Sequence, residues 1–72
     1  MKINFDQQAD AIYIKFGSGK VAKTLEIEED LYVDLDRKGK YLGIEILDAS
    51  RKIPTKEFSK INNQKLSISS VR

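Results

Sequence analysis

The sequence predicts an α+β domain in which an antiparallel β-meander of four to five strands is followed by a short helix and a possible last strand. Apolar residues alternate with polar ones through the first 47 residues, which is the period of a β-strand. Short breaks separate these runs, and strands joined by tight turns pair antiparallel because a parallel pair needs a long crossover. After residue 50 the alternation stops. We therefore expect a single domain over residues 1–72, with a β-meander over 1–50 and a basic helical or strand segment over 51–72.

The strands are predicted from runs in which apolar side chains share one face. The first run contains Ile3 and Phe5, which alternate with polar neighbours. The apolar positions of the later runs are Ile12, Ile14 and Phe16; Val21, Leu25 and Ile27; Leu31, Val33 and Leu35; and Leu42, Ile44 and Ile46. Alternation of this kind places one face of each strand in the core.

Two breaks between these runs have the composition of tight turns. Gly17-Ser18-Gly19-Lys20 contains two residues that take positive φ easily, and we interpret it as a hairpin turn. Asp36-Arg37-Lys38-Gly39 predicts a type I turn closed by a glycine in the left-handed conformation. We interpret Asp48 as a cap of the chain where it leaves the last meander strand.

The C-terminal segment has a different pattern. Pro54 fits the first turn of a helix, and Phe58 and Ile61 lie three residues apart, on one helical face. Asn62-Asn63 is a plausible end, because Asn tolerates the left-handed conformation. Residues 65–71 alternate again, which leaves a short last strand or a frayed tail as the alternatives.

The length and composition of the chain favour self-association. A domain of 72 residues has a thin stability margin, and disulfides, a structural metal or oligomerisation are the usual reinforcements. The chain has no Cys and no His, which excludes disulfides and ordinary zinc sites. We therefore expect a homo-oligomer, with a dimer favoured. Since no apolar run has the length of a membrane span or a signal core, we expect a cytoplasmic protein.

Three tyrosines are the candidate interface. Tyr13, Tyr32 and Tyr41 fall in the phase opposite to the apolar core positions. Tyrosine combines an apolar ring with a polar tip and is enriched at protein interfaces. This face or a strand edge is therefore expected to mediate homodimerisation. The alternative is that these rings lie half exposed or under the C-terminal segment.

The sequence indicates neither an enzyme nor a metal site. No His is present to act as a general base or to activate a serine. The stretch from Asp34 to Gly39, followed by Glu45, matches several positions of a calcium loop. However, Lys38 stands where an oxygen ligand is needed, and the flanks predict strands where an EF-hand requires helices. No catalytic residue and no cofactor is therefore expected, and the stretch is interpreted as a hairpin.

Charge is divided unevenly along the chain. Residues 1–50 carry seven Lys and Arg against ten Asp and Glu, whereas residues 51–72 carry six against Glu57 alone. The candidate basic contacts are Arg51, Lys52, Lys56 and Lys60. They could line one side of the short helix and meet phosphates of a nucleic acid or an acidic partner. The alternative is a solvated helix face.

Three parts of the sequence carry a family resemblance. They are Asp6; Ala9-Asp10-Ala11 with Tyr13-Ile14; and the run from Gly43 to Ser50, while Thr24, Asp34 and Gly39 fit the same spacing. Over its first fifty residues the chain resembles a small uncharacterised prokaryotic family catalogued as domain of unknown function 2283. The resemblance implies a compact β-rich protein without an established activity or cofactor.

Proteins of this kind are sometimes encoded beside toxin-like partners, which suggests an antitoxin-type role. The leading prediction from the sequence is a non-enzymatic, self-associating or protein-binding module. The alternative is an antitoxin-like role, or nucleic-acid or acidic-partner binding through the basic C-terminal segment.

Overall fold

A computed structural model describes residues 1–60 and 64–65. The strands are β1 (Lys2–Asp6), β2 (Ala11–Lys15), β3 (Lys23–Glu28), β4 (Leu31–Leu35), β5 (Tyr41–Leu47) and the two-residue β6 (Gln64–Lys65). They form one sheet in the order β3-β4-β5-β2-β1-β6, and every neighbouring pair is antiparallel. The predicted antiparallel meander is therefore confirmed.

The connection between β2 and β3 departs from a simple meander. β2 pairs with β5, and β3 lies two strands further on, at the edge beyond β4. The chain after β2 passes the start of β5, where the Phe16 and Gly17 amides donate to the Leu42 carbonyl at 2.8 and 3.2 Å. Interpreting residues 17–20 as a hairpin turn was therefore wrong. Pairing with β5 sets Ile12 beside Ile46 and Ile14 beside Ile44.

The predicted turn between β4 and β5 is present. The Asp36 amide donates to the Lys40 carbonyl at 2.9 Å, and the Asp36 carboxylate accepts the Lys38 and Lys40 amides at 2.8 and 2.9 Å. Gly39 has a φ of 83°, in the left-handed region. Glycine is preferred there because a side chain would strain the backbone.

Replacing Gly39 by alanine should therefore lower the free energy of unfolding by about 1–2 kcal/mol, the cost of a left-handed conformation for a residue with a Cβ. Urea unfolding followed by circular dichroism measures this change. Gly17→Ala is the matched control, because its Cβ would make only an ordinary 3.6 Å contact with Leu42. Equal losses in the two variants would contradict the role given to Gly39.

The predicted short helix is wrong over the described residues. The chain instead forms two 3₁₀ turns, over Ala49–Arg51 and Thr55–Lys60. Segments of three and six residues are too short for a stable α-helix, because nucleation fixes several residues for each hydrogen bond gained. Ile61 and Asn62-Asn63 lie outside the described residues, as do residues 66–71 of the expected last strand. That strand's first residue, Lys65, belongs to β6, which pairs with β1.

Asp48 precedes the first 3₁₀ turn but does not cap it with its side chain. Its φ is 56°, and its carboxylate makes no capping hydrogen bond. The carboxylate instead lies 3.6 Å from the Arg51 guanidinium, on the same turn. The expected side-chain cap is therefore replaced by an exposed ion pair.

The core lies where the C-terminal segment covers one face of β1, β2 and β5. Its buried centre is Ile12, Ala49 and Phe58. The partly buried residues packed against this centre are Ile3, Phe5, Ile14, Ile46 and Ile53. The Phe5 and Phe58 ring centroids lie 4.5 Å apart in a tilted arrangement. No helix within the described ranges is long and apolar enough to cross a membrane.

Candidate interaction face of the sheet

The sheet face opposite the core is built from two rows of side chains that cross five strands. One row is Glu26, Tyr32, Glu45, Tyr13 and Asn4, on β3, β4, β5, β2 and β1 respectively. The second row is Thr24, Asp34, Gly43, Lys15 and Lys2, in the same strand order. Cross-strand partners point to the same side of a sheet, so these ten residues form one surface. We call it the polar face.

Asp34 is the centre of a hydrogen-bond network on the polar face. The Tyr13 hydroxyl donates to Asp34 Oδ2 at 2.8 Å, and the Thr24 hydroxyl donates to Oδ1 at 2.6 Å. The network joins β2, β4 and β3, and the Tyr13 ring crosses β5 to reach Asp34. It can do so because β5 has a glycine there. A Cβ at Gly43 would lie 2.5 Å from Tyr13 Cζ and closer still to its hydroxyl.

The carboxylates around the two tyrosines disfavour phenolate. Partial burial, the hydrogen bond to Asp34 and the charges of Asp34 and Glu45 together raise the pKa of Tyr13 to about 12, and burial is the largest of these causes. The charge of Glu26 raises the pKa of Tyr32, whose hydroxyl donates to that carboxylate at 3.4 Å. Both hydroxyls are therefore protonated donors at neutral pH.

The raised pKa of Tyr13 predicts a loss of stability at alkaline pH. The folded protein holds this proton to about pH 12, whereas the unfolded value is 10.0. Because the folded-state pKa is raised, the contribution is fully present below pH 10 and is lost as the pH rises towards 12. Tyrosinate absorbance and urea unfolding across this range should show the transition in wild type.

Tyr13→Phe should remove the tyrosinate transition near pH 12 that belongs to Tyr13, and it should reduce the alkaline destabilisation. Tyr41→Phe is the control and should leave them in place. If Tyr13→Phe shows the same alkaline profile as wild type, the proton does not belong to this network.

Tyr41 does not join the other two tyrosines. Leu35 is paired with Tyr41 and Asp34 with Gly43, so Leu42 is an extra residue in β5. Such a bulge reverses the alternation of side chains along the strand. Tyr41 therefore lies on the same side of the sheet as Leu35, which is the side opposite the polar face. Its side chain is 61% exposed. The structure thus brings Tyr13 and Tyr32 together but leaves Tyr41 elsewhere.

Two of the four candidate basic contacts are paired with acidic groups. Besides the Arg51 pair with Asp48, the Lys52 ammonium lies 3.1 Å from Asp30 Oδ2 and 3.3 Å from the Leu47 carbonyl. Lys56 is exposed, and the side chain of Lys60 lies outside the described part of the chain. The end of the sheet near these residues therefore carries mixed charge.

Aspartates at the strand ends hold the C-terminal segment against the sheet. Asp10, Asp30 and Asp48 all have left-handed φ values, between 53° and 66°. The Asp10 carboxylate accepts the Ser50 amide at 3.1 Å and the Ser50 hydroxyl at 2.8 Å. This contact joins residues 40 positions apart, which period-two patterning could not reveal. Neither these aspartates nor any other described residues form a group of three metal-ligating side chains.

Comparison with known proteins gives a family but no activity. Residues 2–50 match a family described as a protein of unknown function, DUF2283. An uncharacterised protein of Methanocaldococcus jannaschii is 32% identical over 63 residues, which cover 88% of this chain and 53% of that protein. The chain thus spans about half the length of this curated relative. No solved structure gives a significant match.

Proposed function

This chain belongs to the DUF2283 family of unknown function, and we propose that it is a non-enzymatic protein-interaction module that self-associates through its polar face. The observation that carries the proposal is the hydrogen-bond network through which Asp34 orients Tyr13 and Thr24. This network fixes polar and aromatic groups across several strands before any partner arrives. Prior ordering of side chains lowers the entropic cost of association.

The chemistry of the polar face suits a protein partner better than a small substrate. Tyr13 and Tyr32 are partly exposed, and each presents an amphipathic ring next to a carboxylate. Tyrosine supplies contact area at a low entropic cost, and it is common among residues that dominate binding energy. A small-molecule site would instead be expected to form a concave, mostly apolar pocket.

A charged surface groove in the described part of the chain also favours a structural interpretation. It has a volume of about 350 Å³ and is lined by Glu29, Asp30, Asp48, Arg51 and Lys52. Two of these three carboxylates are ion-paired: Asp30 lies 3.1 Å from Lys52, and Asp48 lies 3.6 Å from Arg51. Asp30 and Asp48 are thus used in ion pairs and are not held apart as a general acid and base.

The edge strand β3 is a weaker candidate for self-association. Leu25 and Ile27 are exposed there, which could favour association. However, Lys23 and Glu28 are paired with Leu35 and Leu31, so they carry charge onto the apolar side of the edge. Charges that point inward at a sheet edge, and a bulge such as that between Glu26 and Glu28, oppose pairing with another strand.

The proposal is tested by the solution mass of two matched tyrosine variants. Sedimentation equilibrium of wild type from micromolar to millimolar concentration should show the mass rising above the 8.2 kDa of one chain. Tyr32→Ser, on the polar face, should raise the dissociation constant about tenfold or more, as expected for a tyrosine at an interface. Tyr41→Ser, which is off this face, should leave it unchanged.

Two results would contradict the proposal. A wild-type mass that stays at that of one chain up to millimolar concentration would overturn self-association. Weakening by Tyr41→Ser with no effect of Tyr32→Ser would place the interface on another surface.

A further inference from the structure

The arrangement of charge on the polar face suggests how two copies fit together. We propose that the partner is a second copy of this chain, stacked face to face across a twofold axis that runs along β5. The inference rests on the proposed function, because it specifies the arrangement of the same surface. The axis is chosen by charge complementarity between the two sides of β5.

Opposite charges lie on opposite sides of β5 within one row. Lys15 and Lys2 are on β2 and β1, whereas Asp34 is on β4, and Gly43 stands between Lys15 and Asp34. In the described part of the chain, neither lysine makes an ion pair. Asp34 accepts hydrogen bonds from Tyr13 and Thr24 but has no cationic partner among the described residues, so its remaining lone pairs can accept an ammonium group of a partner.

A twofold axis along β5 exchanges the two sides of the face. It places Lys15 over Asp34 of the partner subunit, and the same pair recurs on the other side of the axis. In the neighbouring row it places the backbone of Tyr13 over that of Tyr32 of the partner subunit, while the Tyr13 ring, which crosses β5, lies near the axis. Packed sheets lie about 10 Å apart, which is within the combined reach of a lysine and an aspartate or of two tyrosines. A symmetric dimer of this kind uses the same surface twice.

One residue opposes the arrangement and supplies a test of its own. Glu45 lies on β5, so the axis brings it near Glu45 of the partner subunit. Like charges across an interface disfavour association. Glu45→Gln should therefore strengthen dimerisation, with a dissociation constant several-fold lower than that of wild type. A weaker dimer in this variant would contradict the position of the axis.

The expected dimer is weak. Four strand spacings of about 4.8 Å and strands of about five residues give a face roughly 20 Å by 17 Å. Such a surface, about 340 Å² on each chain, is smaller than that of stable specific interfaces and fits a transient one. Association should therefore depend on concentration and should weaken with added salt, because salt screens solvent-exposed charged pairs.

A complementary charge exchange tests the arrangement directly. Lys15→Glu alone sets a carboxylate against Asp34 of the partner subunit. Asp34→Lys alone sets a lysine against Lys15 of the partner subunit. Each variant should therefore have a dimer dissociation constant at least tenfold higher than that of wild type. An equimolar mixture restores opposite charges between the two kinds of chain and should form a heterodimer that is tighter than either variant's own dimer. Sedimentation of the two variants, separately and mixed, measures this.

Two further variants keep the test interpretable. Lys38→Glu makes the same charge change in the turn outside the polar face and should leave dimerisation unchanged. Asp34→Asn removes the charge with little change of shape, so it should weaken the dimer and reduce its salt dependence even if Asp34→Lys fails to fold. Circular dichroism identifies any variant that fails to fold.

The outcomes separate the two proposals. If wild type dimerises and Tyr32→Ser weakens it, but the mixture of charge variants does not recover, the twofold arrangement is wrong and the proposed function stands. If wild type remains a single chain at millimolar concentration, both fail. Recovery in the mixture, with no effect of Lys38→Glu, supports the arrangement.

Discussion

Replacing Gly43 by alanine will lower the free energy of unfolding by about 1–3 kcal/mol, the range for inserting a group into a packed site. The added Cβ would lie 2.5 Å from Tyr13 Cζ, and it would also meet the Ile14 carbonyl at 3.0 Å. The ring can move only by giving up its hydrogen bond to Asp34. Urea unfolding gives the free energy, and tyrosinate absorbance between pH 10 and 12 reports whether the Tyr13 hydroxyl has left Asp34.

A double-mutant cycle shows whether the Tyr13 ring is the cause. Tyr13→Ala removes the ring that the new Cβ would strike, so adding Gly43→Ala to it should cost much less than adding it to wild type. Coupling between residues in contact is commonly about 0.5–3 kcal/mol. Additive effects of the two substitutions would contradict the contact. Gly17→Ala serves again as the control, because the site has room for the added Cβ.

Replacing Phe58 by alanine will destabilise the protein by about 3–5 kcal/mol, the range for truncating a buried phenylalanine. Phe58 is 8% exposed, and it contacts the core cluster of Ile12 and Ala49 and the ring of Phe5. A domain of this size has only several kcal/mol of stability. We therefore expect Phe58→Ala to be largely unfolded near room temperature, as measured by circular dichroism and urea titration.

Tyr41→Ala is the control for the loss of an aromatic ring. Its side chain is 61% exposed, so its removal should change the free energy of unfolding by well under the effect at Phe58. A folded Phe58→Ala variant with wild-type stability would contradict the role of the C-terminal segment as the cover of the sheet. It would then follow that residues 1–50 fold without this cover.

The strands could be predicted because each is short and alternates cleanly. The turn at Asp36 to Gly39 could also be predicted, since a carboxylate and a left-handed glycine act locally. The order of the strands could not. Alternation shows that β2 has an apolar face, but it does not show that β5 is a better partner for that face than β3.

The candidate site was predicted only in part, for the same physical reason. The alternation in the sequence predicts that Tyr13 and Tyr32 lie on the same face of the sheet. Both residues pair with Glu45, which keeps their side chains on that face. The bulge at Leu42 moves Tyr41 out of phase, and its origin is long-range pairing of β5 with β4. The role of Gly43 is also hidden in the sequence, because it depends on a ring from a strand that is distant along the chain.

The helix was predicted from a spacing of three residues, which does not distinguish an α-helix from a 3₁₀ turn. The Glu57 amide donates to the Pro54 carbonyl at 3.1 Å, which is a 3₁₀-type contact. Phe58 reaches the core from this turn as it would from a helix. The prediction thus gave the wrong backbone around Phe58.

The tyrosine ring resonances of the protein, followed by NMR as it is diluted from millimolar to micromolar concentration, test the central claim most directly. The three tyrosines report separately on the polar face and on the surface outside it. We predict that the ring signals of Tyr13 and Tyr32 shift with concentration while those of Tyr41 stay in place. A shift at Tyr41 alone, or no shift at any of the three, would contradict an interface on the polar face.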